Sequence, residues 1–184
     1  MSSGSVPGKR SEGAAGHLYL VGLAGSGKST VGPALAKRLS REFIDLDQEI
    51  VRREGMTVGE IFRAKGEPYF RAREVELTLE LAVRTPAVVA PGAGWIMTPG
   101  VRELAQGSGR IVYLRVRPET ALSRVGSEKT HRPLLDRPDA LEELGRQLIT
   151  RGPTYEMADL VVDAETLLPQ EVIDCILGAF WTSA

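Results

Sequence analysis

Gly22-Leu-Ala-Gly25-Ser-Gly27-Lys28-Ser29-Thr30 is the stretch on which the reading of the fold turns. It satisfies G-x-x-x-x-G-K-[ST], and its surroundings are those the motif needs: an apolar run at residues 18–21 ahead of it, then Val31, Leu35 and Leu39 at helical spacing. The glycines let the backbone curl until successive N–H groups aim at one anion, and the following helix adds the positive end of its dipole. Gly25, Ser26, Gly27, Lys28, Ser29 and Thr30 are therefore the candidate nucleotide-binding residues. Lys28 would reach the β- and γ-phosphates, and the Ser29 hydroxyl would ligate Mg²⁺. A nucleoside-triphosphate site is implied. Pro33 falls inside the predicted helix, where a lost backbone hydrogen bond costs about 3 kcal/mol in a regular interior. A local kink or a delayed helix start is expected.

Further short apolar runs follow at residues 42–45, 87–90, 110–116 and 160–162, each succeeded by helix-like or turn sequence. Runs of this kind suit a parallel sheet covered on both faces. Helical stripes occupy the gaps, one at Phe70, Leu77 and Leu81, another at Val172, Ile173, Ile176, Leu177 and Phe180. The pattern predicts an α/β fold with right-handed crossovers. Two stretches break it. Residues 51–68 are charged and punctuated by Gly55, Gly59 and Gly66; residues 126–138 are polar and carry Lys129, His131, Arg132 and Arg137. Insertions on a rigid sheet are where binding segments and moving parts are found.

The 184 residues, 42% of them hydrophobic, suffice for one domain with a sizeable core. Lys and Arg number 23 against 24 Asp and Glu, a net charge of −1, which argues against a protein that coats nucleic acid or an anionic membrane. No apolar run approaches the ~20 residues that span a bilayer. A single cysteine precludes an internal disulfide framework and fits a reducing, cytoplasmic setting. Residues 1–16 are rich in Ser and Gly and lack the apolar stretch of a secretory signal, so a disordered tail is expected before a single domain at 17–184.

The phosphate's destination is narrower than the cradle alone implies. There is no N-K-x-D guanine-reading motif, and the second strand ends in Phe43-Ile44-Asp45-Leu46-Asp47. Alternation along an extended chain would put Asp45 and Asp47 on one side, beyond the carboxyl end of the sheet where ligands bind. Asp45 would then help hold Mg²⁺ through water, and Asp47 would orient the attacking hydroxyl or take its proton. An aspartate beside the acceptor repels an incoming phosphate, which favours a hydroxyl acceptor over a nucleoside monophosphate. Arg71 and Arg151, read as lying at segment boundaries, match a carboxylate in bidentate fashion. Gly92-Ala93-Gly94, after the third strand, would bring backbone N–H groups to the same sheet edge. The combination describes a small acceptor with hydroxyls at one end and a carboxylate at the other.

This ordered set resembles the shikimate kinases, of the nucleoside-monophosphate-kinase-like P-loop group, over residues 18–177. The motifs are Gly22 to Thr30, Phe43-Ile-Asp-Leu-Asp47, Gly66-Glu-Pro-Tyr-Phe-Arg71 with Glu74, Gly92-Ala-Gly94, Arg132-Pro-Leu-Leu135 and Arg151-Gly-Pro-Thr-Tyr155. The resemblance implies a three-layer α/β/α domain around a five-stranded parallel sheet, and ATP-dependent phosphorylation of the 3-hydroxyl of shikimate on the route to aromatic amino acids. It also implies roles. Lys28 and Arg132 stabilise the transferring phosphoryl, and Ser29 with Asp45 manages Mg²⁺. Asp47, Arg71, Arg151 and the Gly92-Ala93-Gly94 backbone hold the substrate, and Arg124 stacks near adenine. Residues 126–138 look like a closing lid and 51–66 like part of a substrate-binding lobe. ATP and shikimate are the implied partners of a monomer, with no nucleic acid and no membrane.

Some features depart from the family pattern. Its usual triple glycine is Gly92-Ala93-Gly94, where Ala93 would be strained if positive φ were required. The segment Tyr155-Glu-Met-Ala158 is one residue short, and an arginine after the fifth strand is replaced by Thr166 and Leu167. A kinase for another carboxylated polyol such as gluconate, or a catalytically silent nucleotide-binding relative, are the alternative readings. Cys175 is expected to be a small packing residue, and His131 is not expected to be the base. His17 has no partner legible in the sequence, and Trp95 could pack on a substrate ring or wedge the glycine loop onto the core.

Overall fold

The computed structural model describes residues 16–125 and 138–181. The expectations placed on residues 1–15 and 126–137, Lys129, His131, Arg132 and Arg137 among them, lie outside the described residues. Five parallel strands form one sheet: β1 (His17–Val21), β2 (Phe43–Asp45), β3 (Val88–Ala90), β4 (Gly109–Arg115) and β5 (Leu160–Asp163). Their order is β2-β3-β1-β4-β5, so β1 is central, with β3 and β4 on either side. Each predicted run carries a strand. Helices α1 (Lys28–Arg38), α2 (Leu46–Glu54), α3 (Val58–Lys65), α4 (Glu67–Ala82), α5 (Val101–Ser108), α6 (Pro118–Val125), α7 (Ala140–Tyr155) and α8 (Pro169–Trp181) complete a three-layer α/β fold. Connections part to opposite sides of β1, which sets a crevice at the carboxyl ends of the strands. Among the described residues no helix is long and apolar enough to cross a membrane.

The sheet core is apolar where two helical layers cover it. Leu18, Tyr19, Leu20, Val88, Val89, Val112 and Leu114 are buried. Trp95 is also fully buried: it stacks on Tyr19 with centroids 5.5 Å apart and donates from Nε1 to Thr78 Oγ1 at 3.0 Å. Of the two expectations for Trp95, wedging the glycine loop onto the core is the one found.

Several local readings are corrected. Helix α1 is not delayed by Pro33. It begins at Lys28, and the Val31 N–H already bonds to Gly27 O at 2.8 Å. Asp45 and Asp47 do not share a strand face. The Asp45 carboxylate accepts from the Gln48 N–H at 3.1 Å, an N-cap that ends β2 and starts α2 at once, so Asp47 lies in a first helical turn. Nor are Arg71 and Arg151 at boundaries: Arg71 is inside α4, and α7 continues through Pro153 to Tyr155, which keeps Arg151 within that helix. Cys175 is exposed, because α8 buries Val172, Ile173 and Ile176 and turns the cysteine away from them. The polar stretch at 51–66 is the end of α2 followed by α3. A capping box starts α3, with Thr57 accepting from Glu60 N–H and Glu60 from Thr57 N–H.

His17 gains partners that only the sheet supplies. Its Nδ1 accepts from the Ala87 N–H at 3.0 Å, so Nε2 carries the proton and donates to Leu81 O at 2.7 Å. Burial lowers its pKa below 6.5, and the Arg41 and Arg84 charges act in the same direction. A base with a depressed folded pKa contributes stability that is full above the unfolded value and is lost as pH falls through it. Wild-type protein is therefore expected to lose stability between pH 7.5 and 5.5, with a shallower loss in His17→Gln. Urea denaturation of both at the two pH values is the check, and identical slopes would refute the assignment.

Candidate active site

The phosphate cradle forms because glycine occupies its left-handed positions. Gly22, Gly25 and Gly27 have φ of 143°, 84° and 103°, and Gly27 caps α1 so that the helix N-terminus opens into the loop. The Lys28 ammonium arches back over this loop, donating to Gly22 O at 2.7 Å and Leu23 O at 2.8 Å. Ser26 is buried, whereas Ser29 and Thr30 are exposed. Arg124 of α6, expected near adenine, donates to Ala164 O at 2.9 Å and Glu165 O at 3.0 Å, pinning the loop after β5. Glu165 tightens this corner by accepting from Thr120 Oγ1 and the Arg117 N–H. Those bonds, with the Arg117 side chain, hold its carboxyl at about 2.

The loop Gly92-Ala93-Gly94 is where Asp47 and Arg71, both expected to hold the acceptor, meet. A Cβ on Gly92 would stand 2.7 Å from Asp47 Oδ1, and one on Gly94 would overlap the Arg71 guanidinium, so both glycines serve close approach. Ala93 is not strained, since Ser40 is the one described non-glycine residue with positive φ. Its carbonyl instead accepts a 2.6 Å hydrogen bond from the Tyr155 hydroxyl. Tyr155 ends α7 one turn beyond Arg151, which donates to Gln147 Oε1 at 2.9 Å. Burial pushes the Tyr155 phenol up to about 12, while the positive charges of Arg151 and Arg71 work against that rise. Asp47, Arg71 and Tyr155 thus come from three helices to one loop at the carboxyl end of β3, and Arg151 lies one helical turn before Tyr155.

Glu74 lies behind them. It is fully buried; Oε2 accepts from Arg71 Nη1 at 2.6 Å, and Oε1 has no hydrogen-bond partner among the described residues. Burial raises its carboxyl to about 7, the Arg71 charge opposes the rise, and the nearby Asp47 charge adds to it. Asp45 is next to Ala90 in the β2–β3 ladder and spends one carboxylate oxygen on its cap, leaving the other for a hydrated cation. Among the described residues no three His, Cys, Asp or Glu side chains form a metal cage. A hydroxyl and a carboxylate are a donor set that fits Mg²⁺, which takes most of its ligands from phosphate and water.

The family model for shikimate kinase matches residues 24–180. The shikimate kinase of Dechloromonas aromatica is 39% identical over 165 residues, covering 89% of this chain and 90% of its own. The chain belongs to the shikimate kinase family. Among solved structures, the shikimate kinase from Acinetobacter baumannii in complex with shikimate superposes with a TM-score of 0.83 at 37% identity, covering 91% of this chain and 93% of that one. A gluconokinase from Sinorhizobium meliloti is more distant, with a TM-score of 0.58 at 25% identity over 90% of this chain and 91% of its own.

In this shikimate kinase family member, Tyr155 and Glu74 join the loop through groups whose signal in the sequence is spacing alone: Tyr155 is four residues after Arg151 and Glu74 three after Arg71, each pair on one helix face. Tyr155→Phe keeps the stack on Tyr113 (4.9 Å between centroids) but strips the Ala93 carbonyl of its donor. An unmet acceptor costs about 1–3 kcal/mol when buried, and this partly buried carbonyl falls toward the lower end. The variant is expected to raise the acceptor KM roughly tenfold with the ATP KM unchanged. Steady-state kinetics with each substrate varied is the check, and equal shifts in both constants would exclude a role confined to this loop.

Proposed function

We propose that this protein transfers the γ-phosphate of ATP to the 3-hydroxyl of shikimate. One observation carries the reading within a family of ATP-using kinases: Asp47, Arg71 and Tyr155 converge on Gly92-Ala93-Gly94, with Arg151 one helical turn before Tyr155. That arrangement offers a carboxylate to a hydroxyl and two guanidinium groups to a carboxylate, which is the chemistry of a carboxylated polyol. Lys28 and the α1 N-terminus hold the phosphates. Asp47 aligns the hydroxyl and receives its proton as the oxygen bonds to Pγ and ADP leaves. Ser29 and Asp45 would hold Mg²⁺, which would neutralise phosphate charge. Arg124 lies beside the base. Arg132, on the 126–138 segment assigned as the lid, adds positive charge to the transferring phosphoryl, and residues 51–66 contribute to the acceptor lobe. A monomer is the assembly proposed with this activity.

The similarity to shikimate kinases exceeds that to the gluconokinase on both sequence and superposition, which supports shikimate over gluconate. A coupled ADP-release assay with ATP, Mg²⁺ and either acid separates the two. Turnover with shikimate well above the ATPase background is expected. None above background, or a higher kcat/KM with gluconate, would overturn the assignment.

A further inference from the structure

The Arg71 guanidinium is held by two carboxylates of different kinds. Nη1 donates to Glu74 Oε2 at 2.6 Å, while Nε and Nη2 donate to Glu67 Oε1 at 3.1 and 2.7 Å. The Glu74 side chain is 0% exposed and fixed behind the site, whereas that of Glu67 is 60% exposed at the start of α4. A guanidinium recognises a carboxylate through a pair of N–H groups along one edge. Glu74 holds the Nη1 side, so the Nε/Nη2 edge is the one suited to an incoming carboxylate, and Glu67 sits on it.

We propose that Glu67 is a built-in competitor for the carboxylate of the acceptor, displaced into solvent when that carboxylate binds Arg71. The inference rests on the carboxylated acceptor of the proposed function. The exchange is easy in one direction. An exposed i,i+4 ion pair is worth about a factor of two in an equilibrium, and the released Glu67 is rehydrated. An acceptor without a carboxylate has no group for this edge of Arg71 and leaves Glu67 in place, so it gains nothing from removal of the competitor. Glu74 does not play this part, because its buried carboxyl has no path to water.

Glu67→Gln preserves the side-chain length and removes the charge, and Glu67→Asp preserves the charge but shortens the reach. Both are expected to lower the KM for shikimate, the first by roughly threefold, with kcat moving less. The gain should shrink in high salt, which screens an exposed charge. With the methyl ester of shikimate, whose carboxylate is masked, neither variant should gain over wild type. An unchanged or raised KM for shikimate, or an equal gain with the ester, overturns the competitor. Absence of wild-type turnover on shikimate is a separate result that overturns the acceptor itself.

Discussion

Asp47→Asn is expected to slow phosphoryl transfer by about 10²–10⁴-fold and to leave ATP affinity intact. The substitution is nearly isosteric, so the close packing against Gly92 survives; Asp47 Oδ1 already lies where a Gly92 Cβ would be only 2.7 Å away. The ability to accept a proton from the attacking hydroxyl is removed. A second consequence follows from charge. Asp47 is one of the groups holding Glu74 up near 7, so the variant should ionise Glu74 more readily and strengthen its grip on Arg71. The acceptor therefore continues to bind while the chemical step fails. Single-turnover rates, with calorimetric titration of ATP and shikimate, separate these effects. Loss of ATP binding, or a rate within a few-fold of wild type, would show that Asp47 does not act on the hydroxyl.

Gly25→Ala is expected to abolish nucleotide binding and to lower the melting temperature by roughly 5–15 °C, from about 2–5 kcal/mol of combined strain and overlap. Gly25 has φ 84°, which penalises any side chain, and its Cβ would also intrude on the Ala121 carbonyl and approach Val125 Cγ2 at 3.0 Å. The carbonyl belongs to helix α6, so relief requires moving a backbone element and not a flexible side chain. Gly27→Ala provides the comparison. Its φ of 103° gives a similar penalty, but the nearest atom, Val31 Cγ2, is 3.9 Å away. Gly27→Ala should therefore melt several degrees above Gly25→Ala. Thermal unfolding of both tests this, and equal losses would mean that left-handed strain alone governs the loop.

These two residues also show how unevenly the site could be read. Gly25 was legible as part of a cradle because its conformational demand is local: a loop must curl between a strand and a helix, and the glycine spacing reports it. Its packing against Ala121 was not, since the partner is on a helix far along the chain. Asp47 was singled out for the correct end of the sheet on an incorrect local geometry. The alternation argument assumed that β2 continues, whereas Asp45 accepts the Gln48 N–H and converts the next residue to helix. The competing hydrogen bond was available in the sequence, because Asp is among the strongest N-cap residues. His17 had no readable partner and Trp95 had two open readings, because His17 depends on groups in α4 and beside β3, and Trp95 on Thr78 in α4 and Tyr19 in β1.

Strand positions, the order of motifs and the phosphate cradle follow from the chain alone, because hydrophobic period, glycine freedom and carboxylate or guanidinium chemistry act over a few residues. The strand order, with β1 between β3 and β4, and the meeting of Asp47, Arg71 and Tyr155 on one three-residue loop were decided by tertiary structure. Those contacts join residues distant in sequence, and their distances are set by how the helices pack on the sheet, a quantity that no local spacing encodes.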